Sequence, residues 1–60
     1  MQLKELGKKC REFRIKNGIT IDEIAEQSNY SLWNVYKFEQ GRVNNALILL
    51  AYLNLGLHLN

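Results

Sequence analysis

Few side chains in this 60-residue sequence are suited to covalent or acid–base chemistry. Cys10 is the only cysteine and His58 the only histidine. No second Cys or His stands at ligand spacing from either, so no metal centre is indicated. No Ser/His/Asp or Cys/His arrangement with supporting groups can be assembled, and there is no glycine-rich phosphate loop. The sequence therefore predicts neither an enzyme nor a cofactor. Cys10 reads as a small core residue and His58 as an exposed tail residue. What remains is hydrogen-bonding and charged chemistry at helix starts, turns and loops: Thr20, Glu23, Ser31, Asn34, Lys37, Arg42, Asn44 and Asn45. Such groups bind rather than transform.

The elements that position them read clearly. Leu3, Leu6, Cys10 and Phe13 recur at helical spacing and predict a first helix over about 3–16, ended by Asn17-Gly18. Thr20 and Glu23 have the T-x-x-E spacing of a capping box, in which hydroxyl and carboxylate each satisfy an orphan amide. They open a second helix over about 21–28, with Ile21, Ile24 and Ala25 as its apolar stripe. Asp22 and Glu23 lie in its first turn, where the helix dipole favours negative charge. Ser28-Asn29 breaks the pattern, and Asn tolerates a left-handed turn. Ser31 is suited to cap a third helix over about 32–40, which carries Val35 and Phe38 on one face and ends at Gly41. Two short helices joined by a turn of about 3–4 residues form the helix-turn-helix signal of DNA-binding proteins.

The chain resembles the Cro/repressor-type (Xre) helix-turn-helix family across roughly residues 3–57. The matching residues are Leu6-Gly7 and Arg14 in helix 1, Gly18-Ile19-Thr20 before helix 2, and Glu23-Ile24-Ala25 within it. Ser31 and Val35 in helix 3, and Phe38-Glu39-x-Gly41 at its end, complete the match. The resemblance implies an all-α, four-helix, lambda-repressor-like domain, with Arg14 and Glu39 paired as an ion bridge between helices 1 and 3. It implies that helix 3 enters the major groove of double-stranded DNA, with Leu32, Trp33, Asn34 and Lys37 at base-reading positions. Asn suits adenine, Lys suits guanine, and Leu suits a thymine methyl. Backbone contacts would come from Lys16, Thr20, Ser31, Tyr36, Arg42, Asn44 and Asn45, although an Asn in the loop after Gly41 is equally suited to capping helix 4. The chain departs from the family pattern at three places. Ile21 stands where many members carry Gln, Leu32-Trp33 where many carry polar side chains, and the 41–45 loop is about two residues shorter and lacks the usual Pro.

Composition bounds these readings. Sixty residues make one domain, 1–60, whose core is marginal because so short a chain buries only about 60% of its unfolded surface. A hydrophobic content of 47% argues against disorder. The net charge of +2 is weak evidence for a nucleic-acid partner. Residues 1–18 hold Lys4, Lys8, Lys9, Arg11, Arg14 and Lys16 against Glu5 and Glu12, for +4. Residues 19–60 hold Lys37 and Arg42 against Asp22, Glu23, Glu26 and Glu39, for −2. One copy is therefore expected to bind DNA weakly at physiological salt. A lone cysteine fits a reducing cytosol. The polar start reads as no signal peptide, and the longest apolar run, Ala46–Leu53, is too short for a membrane span. The expected location is the bacterial cytosol or nucleoid, or a phage-infected host cell. The sequence shows no second domain that would bind an inducer, so no small-molecule ligand is expected.

Helix 4, over about 45–54, is apolar nearly all round, and a helix apolar on every face must be covered on every face. A second copy of the chain could supply that cover. Leu55, Leu57 and Leu59 then alternate with Gly56, His58 and Asn60 at period two, which leaves open a short C-terminal strand over 55–60. The sequence accordingly predicts a homodimer through Leu49, Tyr52, Leu53, Leu55, Leu57 and Leu59. If no second copy covers it, Tyr52 becomes a boundary residue with its hydroxyl in water. The leading functional expectation is a sequence-specific transcriptional regulator of the phage or mobile-element type. The competing one is a protein-interaction module that docks a protein partner through Leu32, Trp33 and Tyr36, because Trp and Tyr dominate protein–protein hot spots.

Overall fold

The computed structural model describes residues 1–59, which form four helices and, among those residues, no strand. Their bounds are α1 Leu3–Lys16, α2 Ile21–Ser28, α3 Leu32–Glu39 and α4 Ala46–Asn54. The starts of α2, α3 and α4 are set by side chains. Thr20 Oγ1 accepts the Glu23 N–H at 3.2 Å, and Ser31 Oγ accepts the Asn34 N–H at 3.2 Å. Asn45 Oδ1 accepts the N–H groups of Leu47 and Ile48 at 3.0 and 3.1 Å. Each satisfies donors that a helix start otherwise leaves open. The box at Thr20 closes differently from expectation. The Glu23 carboxylate accepts from the Thr20 hydroxyl, at 3.4 Å, rather than from an orphan amide. Between α2 and α3, Asn29 adopts the left-handed conformation at φ 62° and lets the chain reverse within three residues.

α1 and α2 each pack against both α3 and α4. The core consists of Cys10, Ile24, Val35, Phe38, Ile48, Ala51, Tyr52 and Leu57. Leu3, expected in the core face of α1, instead lies at the helix end and is 38% exposed. Phe38 and Tyr52 stack at its centre with ring centroids 5.9 Å apart. Two glycines permit the close approach of backbones. A Cβ on Gly7 would lie 2.4 Å from the carbonyl oxygen of Glu39, so α1 can meet α3 there only without a side chain. Gly41 combines φ +74° with a position where a Cβ would fall 2.6 Å from the Cα of Lys4.

The tail corrects two expectations. Residues 55–59 form no strand. The Leu57 N–H bonds back to the carbonyl of Tyr52 at 3.0 Å, and this folds the Leu57 side chain under the helix into the core. The period-two leucines thus mark one buried anchor between two half-buried neighbours, not an extended edge. Asn60, the last residue of the expected strand, lies outside the described residues. No helix among the described residues is long and apolar enough to cross a membrane.

Candidate nucleic-acid interface

α3 is held from behind and exposed in front. Its inner face carries Val35 and Phe38, both buried, and its one carboxylate, Glu39. Arg14 reaches Glu39 from α1 in a two-pronged contact, Nε to Oε2 at 2.8 Å and Nη2 to Oε1 at 3.2 Å. Arg14 Nη1 also donates to the carbonyl of Ile19 at 3.2 Å, which fixes the loop that leads into α2. The Tyr52 hydroxyl donates to Glu39 Oε2 from α4. One buried carboxylate therefore joins α1, α3, α4 and the α1–α2 loop. Its bonds to Glu39 raise the Arg14 pKa, and burial, followed by the bond to Glu39, raises that of Tyr52. The Arg14–Glu39 pair was implied by resemblance; the role of Tyr52 was not. Expected in the dimer interface or, without a second copy, at the boundary with its hydroxyl in water, Tyr52 is instead fully buried within the chain's own core. Cys10 is sealed in the same region, and its thiol is pushed up to about 12, first by burial and then by the nearby Glu39 charge.

The outer face of α3 presents Leu32, Trp33 and Tyr36 in solvent, at 43%, 60% and 47% exposure. The two polar side chains expected to read bases are engaged within the helix. Asn34 is half-buried, and its Nδ2 donates to Ser31 Oγ at 3.0 Å. Lys37 is also half-buried, with Nζ 6.0 Å from the centroid of the Trp33 ring. The backbone-contact candidates are dispersed. Lys16 is exposed at the end of α1. Thr20 and Ser31 are exposed at helix starts, with their hydroxyl groups occupied as caps. Asn44 is exposed in the loop after α3, and the oxygen of Asn45 caps α4. Arg42 follows α3 directly, its N–H bonded to the carbonyl of Lys37 at 2.9 Å and its Nη1 to Gln40 Oε1 at 3.4 Å. No pocket forms among the described residues, so any partner must be met across an open surface.

A second apolar surface lies on α4, and only part of it coincides with the expected interface. Tyr52 and Leu57 belong to the chain's own core and are closed to a second copy. Leu49, Leu55 and Leu59 are half-buried against that core. The leucines in solvent are Leu47, Leu50 and Leu53, at 56%, 47% and 38% exposure, so Leu53 alone of the expected set is open. Leu47 and Leu50 were missed because the inward stripe of α4 (Ile48, Ala51, Tyr52) is no more apolar than the outward one. A spacing of three residues on a uniformly apolar helix carries no sign of which side faces in. Comparison with family models, with curated proteins and with solved structures returns no match for the chain.

Proposed function

We propose that the chain is a small sequence-specific DNA-binding regulator of transcription, of helix-turn-helix type, that places α3 in the major groove and acts as a homodimer. The observation that carries this reading is the charge of α3. Glu39, its only acidic residue, is buried and paired with Arg14, whereas Lys37 is half-buried beside the exposed Trp33 and Arg42 is exposed just after the helix. The exposed charge of the helix and its exit loop is thus positive only, which suits a polyanion. An α-helix with its side chains is about 10–12 Å across, which matches the major-groove width of about 12 Å. In this mechanism the start of α2 near Thr20, together with Ser31, Lys16 and Arg42, holds phosphates, and Leu32, Trp33, Asn34 and Lys37 face base edges.

A second reading is favoured by a specific feature. Three large apolar side chains on one short helix also suit a protein partner, with Trp33 as the anchor. Selection from a random duplex-DNA library, with salt varied and solution mass recorded in the same buffer, separates the two. A DNA regulator enriches a defined site whose affinity falls as salt rises. In that case Lys37→Ala costs roughly 1–3 kcal/mol and relaxes the preference at one position. Failure to enrich any duplex at low salt overturns the DNA reading and leaves the Leu32–Tyr36 surface as a protein-docking face.

A further inference from the structure

Building on the DNA reading above, we propose that the half-site is recognised mainly through the 5-methyl groups of thymine, with Leu32 and Trp33 as the side chains that read them. The argument starts from what α3 has left to offer. Ser31 Oγ accepts both the backbone N–H of Asn34 at 3.2 Å and its side-chain Nδ2 at 3.0 Å. The carboxamide is thereby turned back toward the helix start, with one of its two N–H donors in use. A bidentate contact with adenine needs the amide oxygen and nitrogen presented together to N6 and N7, so this cap bond must open first. Lys37 Nζ lies 6.0 Å from the Trp33 ring centroid, at the outer range of cation–π attraction. The first turn of α3 therefore presents two consecutive apolar side chains, Leu32 at 43% and Trp33 at 60% exposure, beside a positive charge and with no exposed carboxylate on the helix.

Only one apolar group marks a base in the major groove, the C5-methyl of thymine; every other mark is a donor or an acceptor. An apolar side chain laid against guanine N7 and O6, or cytosine N4, strips those groups of water without giving them a partner, and that penalises binding. Laid against a methyl it strips nothing polar and removes apolar surface from water. The same two side chains therefore favour thymine and disfavour G·C pairs beneath the first turn of α3. The neighbouring Lys37 charge directs this apolar pair toward a polyanion rather than a neutral surface.

The test uses the duplex selected from the random library. Each thymine is replaced in turn by deoxyuridine, which keeps the base pairing and the O4 acceptor and removes only the methyl. The expected result is a loss of about fourfold for each methyl removed, confined to one or two positions of each half-site. That loss should disappear in Leu32→Ala or in Trp33→Ala, and both positions are exposed enough for the variants to keep the parent's helicity. Selective binding with no position at which uracil weakens it overturns the inference and leaves the DNA reading standing. So does a penalty that persists undiminished in both variants. Absence of any selected duplex removes the DNA reading itself and this inference with it.

Discussion

Cys10, Glu39 and Tyr52 show how single residues set the chemistry of the core. Cys10 and Tyr52 are acids held neutral by burial, and both titrate above their ordinary values. A raised pKa in the folded state means that the unfolded chain loses its proton first. The contribution of Cys10 is therefore complete below pH 9.0, the ordinary value for the thiol, and is lost as pH rises toward about 12, whereas that of Tyr52 begins to fall only above its own ordinary value of 10.0. Urea denaturation followed from pH 8 to 11 should show stability falling only in the upper part of that range. In Cys10→Ala the alkaline loss should shrink but persist, because Tyr52 titrates in the same direction. A loss that begins near neutrality would contradict this account. The thiol should also resist alkylation in the native protein and react at the rate at which the fold opens. Glu39 answers a different need. A buried carboxylate is costly unless paired and hydrogen-bonded, and here Arg14 and Tyr52 occupy both of its oxygens.

At the scale of elements, the tightest constraint is the crossing of α1 and α3 at Gly7. Exchanging a helix-interior glycine for alanine ordinarily gains about 0.5–1 kcal/mol. Here the new Cβ would lie 2.4 Å from the backbone oxygen of Glu39 and 2.7 Å from that of Phe38, and backbone atoms cannot swing aside. Overpacking of this kind costs about 1–3 kcal/mol, so the steric term wins. Gly7→Ala is expected to lower stability by about 1–2 kcal/mol in chemical denaturation, a large part of the roughly 3–9 kcal/mol typical of 60 residues. Unchanged or increased stability would show that the two helices are not in backbone contact. The helix starts were legible in the sequence because caps are local: Thr20 and Ser31 bond to amides three residues away. The left-handed turn at Asn29 was legible for the same reason. The facing of α4 was not, because its inward and outward stripes are equally apolar. Leu57 was misread because alternation in a short tail cannot tell a strand from one residue tucked beneath a helix. Tyr52 was misplaced because its partner, Glu39, comes within reach only once α3 and α4 have both packed. The candidate face of α3 was legible as a set of residues. What could not be read was that Asn34 and Lys37 are already engaged with Ser31 and Trp33.

At the scale of the whole molecule, the proposed dimer is constrained by size and by the remaining apolar surface. Half-sites one helical turn apart lie about 34–36 Å from centre to centre. The longest Cα extent of one chain is 25 Å, so two α3 helices can reach that separation only if they lie toward the outer flanks of the pair. The joint must then avoid α3. The exposed leucines of α4 meet that condition, since α3 packs mainly on α1 and α2. Leu47, Leu50 and Leu53 are only partly exposed, and they provide far less than the roughly 800 Å² per partner of a standard interface. The pairing should therefore be weak in free solution and consolidated on DNA, where two half-sites hold two copies together. Leu50 is 47% exposed, so a glutamate there can keep its charge in water within one chain but not within a joint between two. Leu50→Glu is expected to keep its helicity and to shift the mass at high concentration from two chains to one chain of 7.0 kDa. It should also weaken binding to a two-fold duplex by tenfold or more while leaving binding to a single half-site unchanged. With Lys16 and Arg42 as the cationic phosphate contacts, log affinity should fall with log salt at a slope of about −2 per copy and about −4 for the pair. A parent protein that stays one chain at every concentration and on DNA, with a slope near −2 on a two-fold duplex, would leave the leucines of α4 without the role assigned to them.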